Sequence, residues 1–316
     1  MKTRVTEMKF KSAVVKAGQL FHSLVCLAAV LLICSSASAQ NMFVSGRDAR
    51  GGEIFKFSWD GKQSVFASGF YKPWDVTVDS AGNVFVVDYE ILGEKFGGYA
   101  AIYKITANGV QGIFASGLSY GSSLALDKTG NLFVADYDEG VIYEYKPTGL
   151  RAIFASGLYH PVGMAFDSVG NLFVADNSIG NIYQGSIYQY KPNGSRITLA
   201  ALEPGDRPAD LAFDGMGNLY MGDLGGKVYK YNLNGALRPH VRTTFGSVPN
   251  SAQSLAFDSA GNLFVVNASD MSGTGSLIPN AIYKFTQQGA RSMFASAQQP
   301  GESFACLAFQ PIACCQ

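Results

Sequence analysis

The phrase LAFDSAGNLFVVN (255–267) recurs along this chain as VTVDSAGNVFVVD (76–88), LALDKTGNLFVAD (124–136), MAFDSVGNLFVAD (164–176) and LAFDGMGNLYMGD (211–223). A unit repeated at this period is one supersecondary element that buries its apolar face only by stacking on its neighbours. The Asp ahead of each x-x-Gly-Asn gives five markers, Asp79, Asp127, Asp167, Asp214 and Asp258, spaced by 48, 40, 47 and 44 residues. A sixth, degenerate marker falls 52 residues later, where CLAFQP places Gln310 in the Asp position.

Each period holds four short apolar runs bounded by turn residues, as in LAL (124–126), NLFVAD (131–136), VIYEY (141–145) and AIFAS (152–156). The Asp-x-x-Gly-Asn link predicts a tight hairpin in which Asp caps the turn and Gly takes the left-handed position. A second hairpin is predicted at Asp60-Gly61, Asn108-Gly109, Thr148-Gly149, Asn193-Gly194, Asn234-Gly235 and Gln288-Gly289. Runs such as Leu132-Phe133-Val134-Ala135 are apolar on both faces, so each small sheet must be covered on both sides. Four-stranded antiparallel sheets covered in this way describe an all-β, six-bladed β-propeller. The run NMFVSG (41–46) matches the second strand of a repeat and lacks a first strand, and that missing strand appears at the other end as CLAF (306–309). The two ends therefore complete one shared blade and close the ring.

Residues 1–39 read as a signal peptide, with Lys2, Arg4, Lys9, Lys11 and Lys16, an apolar run LVCLAAVLLIC (24–34) and the small residues Ala37-Ser38-Ala39 before Gln40. The expectation is a secreted, periplasmic or otherwise extracytoplasmic protein whose single domain spans 40–316. The apolar run falls short of the roughly 20 residues that span a bilayer, so no membrane span is expected after processing. Removing five basic residues and Glu7 from the 24 basic and 24 acidic residues leaves 19 and 23, a charge of −4. That balance argues against a nucleic-acid partner. Charged residues make up 15% of the chain, which marks a core-rich, ordered protein, and a monomer is expected. Three cysteines remain, Cys306, Cys314 and Cys315; a disulfide from Cys306 to the terminal pair and free thiols are both open.

The stretch Pro161-Val162-Gly163-Met164-Ala165-Phe166-Asp167 through Asn171-Leu172-Phe173-Val174-Ala175-Asp176 resembles NHL repeats and the related gluconolactonase-like six-bladed propellers. The likeness runs over 41–310. Such propellers include lactonases, lyases and pure binding modules, so the resemblance speaks to fold before function. It implies, for the enzymes, a divalent metal (Ca or Zn) at the channel mouth, held partly by residues just after the Pro of each repeat. Carried over, that position falls on Trp74, Ser122, Val162, Ala209, Gln253 and Ala305, none of them a carboxylate.

Variation in loop length collects on one rim. From the end of the second strand to the Tyr of the third takes 15, 7, 12, 6 and 16 residues in successive repeats, whereas the opposite rim carries uniform hairpins. Insertions on one rim of a repeat protein mark its binding face. The candidate ligand-binding residues there are Tyr71, Trp74, Tyr89, Tyr120, Tyr137, Tyr159 and Arg207, beside Phe96, Tyr99 and Tyr183. Tyr and Trp join apolar area to a polar handle, which suits a small molecule, glycan, peptide or protein. Loop packing is the competing role for the same side chains.

Asp88, Asp136, Asp176, Asp223 and Asn267 end the second strands and read as acceptors for backbone N–H groups of the adjacent loop. Asp75 and Asp210, four residues before their markers in blades two and five, face each other across a six-fold ring. A carboxylate pair there is the candidate catalytic acid and base, or metal-binding pair, with His160 at the mouth as a further catalytic candidate. His240 is assigned no role. The expectation is a secreted binding module working through its variable rim; the alternative is a metal-dependent lactone hydrolase or propeller lyase.

Overall fold

The architecture starts in the turn that the repeat spells out. Asp127 Oδ1 accepts the N–H groups of Thr129 (2.8 Å) and Asn131 (2.9 Å), and Oδ2 accepts Asn131 Nδ2 (2.8 Å). The Asp127 N–H returns to the Asn131 carbonyl (3.0 Å), so Asp and Asn clasp each other across the hairpin. Gly130 sits at φ +83°, where a side chain would be strained. Asp79, Asp167, Asp214 and Asp258 make the same clasp with Asn83, Asn171, Asn218 and Asn262. The hairpins are therefore held by hydrogen bonds local to each turn.

A computed structural model describes residues 40–48, 51–90, 99–177, 185–233, 242–268, 280–298 and 302–311. The expected signal peptide, Phe96, Tyr183, His240, Cys314 and Cys315 lie outside the described residues. The first blade holds β1 (Met42–Asp48), β2 (Gly51–Phe57) and β3 (Gln63–Phe70). The second holds β4 (Pro73–Val78), β5 (Val84–Glu90), β6 (Tyr99–Ile105) and β7 (Gln111–Leu118); the third β8 (Gly121–Leu126), β9 (Leu132–Asp136), β10 (Val141–Tyr145) and β11 (Arg151–Ala155). The fourth holds β12 (Pro161–Phe166), β13 (Leu172–Asp176), β14 (Ser186–Tyr190) and β15 (Arg196–Ala201). The fifth holds β16 (Pro208–Phe213), β17 (Leu219–Asp223), β18 (Lys227–Tyr231) and β19 (Arg242–Ser247). The sixth holds β20 (Ser251–Phe257), β21 (Leu263–Ala268), β22 (Ala281–Phe285) and β23 (Arg291–Ser296), and β24 (Ser303–Phe309) returns to the first. Each is a four-stranded antiparallel sheet, and the first strand of every blade packs on the first strand of the next. No helix long and apolar enough to cross a membrane occurs among the described residues.

The ring closes as the sequence predicts. In the order β24-β1-β2-β3, Met42 stands opposite Phe309, Val44 opposite Leu307 and Ser45 opposite Cys306. The degenerate marker is explained at this seam. Gln310 takes the Asp role and Asn41 the Asn role: Asn41 Nδ2 donates to Gln310 Oε1 (2.8 Å) and the Gln310 N–H to the Asn41 carbonyl (2.9 Å). A clasp made elsewhere over four residues is rebuilt here between the two ends of the ring. Gln40 adds Nε2 to the Gln310 carbonyl (2.7 Å), and its Oε1 accepts the Ser259 N–H (2.9 Å), tying the seam to the sixth blade.

The core is divided among the interfaces between blades. Phe85 and Val87 of the second blade pack with Leu124, Leu132 and Val134 of the third, and comparable clusters fill the other five interfaces. Both faces of each sheet are thereby covered, which is why the strands carry apolar residues without alternation. Phe133 shows the packing: it is buried, with edge-on rings of Phe154 and Phe166 at centroid distances of 5.0 and 4.9 Å. Phe133→Ala is expected to cost about 3–5 kcal/mol in chemical denaturation. Ending the chain before Ala305 removes the partner of β1 and is expected to lower the melting temperature and cause aggregation from the exposed edge; an unchanged melting curve would refute the closure.

Candidate functional site

The six positions five residues before each marker, Trp74, Ser122, Val162, Ala209, Gln253 and Ala305, all line one cavity of about 660 Å³ on the long-loop rim. The positions one residue further on form its floor: Asp75, Ser123, Asp210, Ser254 and Cys306 line it, and in the fourth blade the place is taken by Gly163. A Cβ at Gly163 would lie 2.6 Å from Asp210 Cα, so the approach of the fifth blade requires glycine. Asp75, Asp210 and Cys306 also line a second cavity of about 230 Å³ toward the hairpin rim, and so form the waist between the two.

The waist carboxylates already have partners. Asp75 Oδ1 accepts the Val76 N–H (2.8 Å) and the Cys306 thiol, Oδ2 accepts the Leu124 N–H (2.6 Å), and the Ser123 hydroxyl adds a further bond. Asp210 Oδ1 accepts the Leu211 N–H (2.7 Å), and Oδ2 accepts the Leu255 N–H (2.8 Å) and the Ser254 hydroxyl (3.0 Å). Ser254 Oγ in turn accepts the Leu307 N–H (3.2 Å) and lies 3.1 Å from Cys306 Sγ. Each of these side chains bonds a backbone N–H of the following blade, so they staple neighbouring blades at the axis. The chain Asp75–Cys306–Ser254–Asp210 runs through four blades. Cys306 is a free, buried thiol; burial and the two carboxylates push its pKa well above the ordinary 9.0.

Burial, followed by the Asp75 charge, pushes Asp210 from 3.8 up to about 8. Burial also raises Asp75, against the pull of its donors. Asp210 thus carries a proton at neutral pH in the folded protein and loses it on unfolding.

On the rim, the predicted aromatic residues join into an arc. Ring centroids run Trp74–Tyr89 (6.2 Å), Tyr89–Tyr120 (4.7 Å), Tyr120–Tyr137 (5.3 Å), Tyr137–His160 (4.1 Å, stacked) and His160–Tyr159 (4.8 Å). Lys72 Nζ lies over Trp74 and Tyr89, at 5.4 and 5.6 Å. Trp74, Tyr120, Tyr137 and Arg207 line the cavity. Tyr89 packs behind them, its hydroxyl donating to the Gly121 carbonyl (2.8 Å). Tyr71 and Tyr159 are about half exposed on the outer rim, Tyr99 begins β6, and His160 is fixed by its stack and by Nδ1 at 3.1 Å from the Tyr137 carbonyl. Asp88, Asp136 and Asp176 each accept two successive backbone N–H groups of the loop before the first strand of their blade. Asp223 accepts from Arg207 and Gly225, and Asn267 from Asn250.

The metal implied by the gluconolactonase-like resemblance finds little to hold it at these positions. Trp, Val and Ala offer no ligand, Ser122 donates to the Pro161 carbonyl (2.5 Å), and only Gln253 brings an amide oxygen. The waist carboxylates are committed to backbone N–H groups.

Residues 195–231 match a model of the strictosidine synthase-like N-terminal family. No curated protein matches the sequence. Among solved structures, a nidogen/laminin complex is similar at 18% identity with a TM-score of 0.68, over 87% of this chain and 100% of that one. A gluconolactonase from Xanthomonas campestris matches at 14% and 0.59, over 84% and 86%. The PQQ-bound aldose sugar dehydrogenase of Streptomyces coelicolor matches at 14% and 0.60, over 77% and 90%. The fold is that of the NHL-like and gluconolactonase-like six-bladed propellers. Identities this low carry the ring and its blades and leave the cavity to be read from its own residues.

What sequence reasoning missed was the waist. The sequence holds one signal for it: four residues before their markers, Cys306 falls at the same repeat position as Asp75, Ser123 and Ser254. Asp75→Ala strands two buried N–H donors and is expected to cost about 3 kcal/mol or more in denaturant titrations. Protonation of Asp210 stabilises the fold in full below 3.8, and this is lost as pH rises through about 8. Stability is therefore expected to fall across that window by at most about 1.4 kcal/mol per pH unit. Asp210→Asn is expected to flatten the fall; an identical pH profile in the variant would refute the protonated floor.

Proposed function

We propose that this protein is a secreted, monomeric binding module that captures its ligand in the axial cavity of the long-loop rim. The observation that carries the reading is the two-sided lining of that cavity. Trp74, Tyr120 and Tyr137 supply aromatic faces from the second and third blades, whereas Asn177, Arg207, Asn250 and Gln253 supply amide and guanidinium groups from the fourth to sixth. A volume of about 660 Å³ falls within the range of small-molecule sites, which pair apolar walls with a few polar groups. A ligand with one ring face and one polar edge, such as a saccharide or the side chain of a peptide, fits such a lining. A nidogen/laminin complex among the similar structures supports a binding role for this type of ring.

A second reading, a lactone hydrolase, is favoured by one observation: Asp210, raised to about 8, offers a proton at the floor of the cavity near neutral pH. It is weakened by the donors that occupy both waist carboxylates. Lactone or ester turnover that persists in chelator and is abolished by Asp210→Asn would favour it over binding alone.

The chain has two tryptophans, Trp59 on the hairpin rim, 75% exposed, and Trp74 in the cavity. In Trp59→Phe, Trp74 is the sole indole reporter. Titration with a panel of mono- and oligosaccharides and short peptides is expected to shift Trp74 emission for a subset, and Tyr120→Ala to weaken those by about tenfold, as loss of a stacking face implies. Emission unmoved across the panel, with Trp74 still quenched by iodide, would count against the reading.

A further inference from the structure

The fifth and sixth blades depart from a pattern that the second, third and fourth share. In blades two to four, the residue ending the second strand is Asp, and it accepts two successive N–H groups of the preceding loop. In the sixth blade the corresponding loop pair is Pro249-Asn250, and proline has no N–H to give. The strand ends accordingly in Asn267, whose Oδ1 accepts the single Asn250 N–H (2.8 Å). The exchange leaves a surplus of donors: the buried Nδ2 groups of Asn250 and Asn267 have no acceptor. Asn250 lines the cavity.

Arg207 lines the same wall. Its backbone N–H is held by Asp223 (2.6 Å), yet among the described residues no carboxylate pairs with its guanidinium. Arg151, Arg196, Arg242 and Arg291, by contrast, lie over Tyr143, Tyr188, Tyr229 and Tyr283. Arg207 is exposed on the cavity wall with its guanidinium open to a carboxylate in two parallel bonds, whereas the Asn250 Nδ2 is shielded from the cavity. Asp138, an exposed carboxylate, lies on the opposite, aromatic wall; Asp75 and Asp210 on the floor are taken up by the bonds of the waist.

We infer that Arg207 forms a carboxylate subsite, so that the ligand of this cavity is a small ring-bearing acid whose ring lies toward Trp74 and Tyr120 and whose carboxylate is held by the fifth blade. The inference rests on the binding reading above and narrows it to one chemical class. The acid group is the shared feature; a sugar acid and an aromatic acid are its two sources.

The test follows Trp74 emission in Trp59→Phe, with calorimetry alongside, for two matched pairs: glucuronate against glucuronamide, and benzoate against benzamide. At least one acid is expected to bind about tenfold or more tighter than its amide, and the pair that responds identifies the source. Arg207→Gln is expected to abolish the preference for acid with an unchanged melting temperature, since no ion pair of the fold is lost. Amides that bind as well as the acids overturn the carboxylate subsite and leave the binding reading standing. Acid preference that survives Arg207→Gln, or no response to either acid at millimolar concentration, also overturns it; in the latter case a response to the neutral saccharide panel still separates this failure from that of the binding reading.

Discussion

The antiparallel pairing of β1 with β24 is the constraint on which the rest of the molecule depends. Six sheets with apolar residues on both faces have no outer layer to hide them, so each must find a neighbour on either side. Only a closed ring supplies twelve covered faces from six sheets. The seam is built with the device used everywhere else in the chain, the reciprocal clasp of a turn residue and an Asn, here made by Gln310 and Asn41. A longer amide side chain replaces the Asp carboxylate at the one place where the two clasped residues are not joined by a turn.

At the axis the blades are joined by a second set of bonds. Asp75, Asp210 and Ser254 each reach a backbone N–H of the next blade, and Cys306 links the first of these to the last. Groups that look catalytic when counted as residue types are used to hold strands in register. This division of labour leaves the floor of the cavity saturated, whereas Arg207 on its wall has no carboxylate partner among the described residues. Above the floor, Trp74, Tyr120 and Tyr137 line the cavity from the second and third blades and Arg207 from the fifth.

Much of this was legible in the sequence because the information is local or periodic. The clasped hairpins follow from five residues, the blade from four runs, and the shared blade from a missing first strand at one end and a spare one at the other. The long-loop rim follows from loop lengths, and Trp74, Tyr120 and Tyr137 of that rim line the cavity. The partners of Asp75 and Asp210 were not legible, because the N–H groups that occupy them belong to Leu124 and Leu255, in the next blade and 49 and 45 residues away. Cys306 was read for its pairing with Cys314 or Cys315, a question of redox state, whereas its role comes from a register shared with Asp75. The donor surplus at Asn250 and Asn267 depends on Pro249 lacking an N–H, a relation visible only once the other blades show two such bonds where this one has one.

Native-state hydrogen exchange across the seam tests the account most directly. Strands paired only at a loose edge open locally, whereas strands integral to a cooperative core exchange on global unfolding. The account predicts that the hydrogen-bonded amides of β1 and β24 between 43 and 308 exchange as slowly as those between β20 and β21, with the same dependence on denaturant. Amides at Phe43 and Ala308, which face each other across the seam, that exchange through low-energy local opening while the other blades remain protected would contradict it.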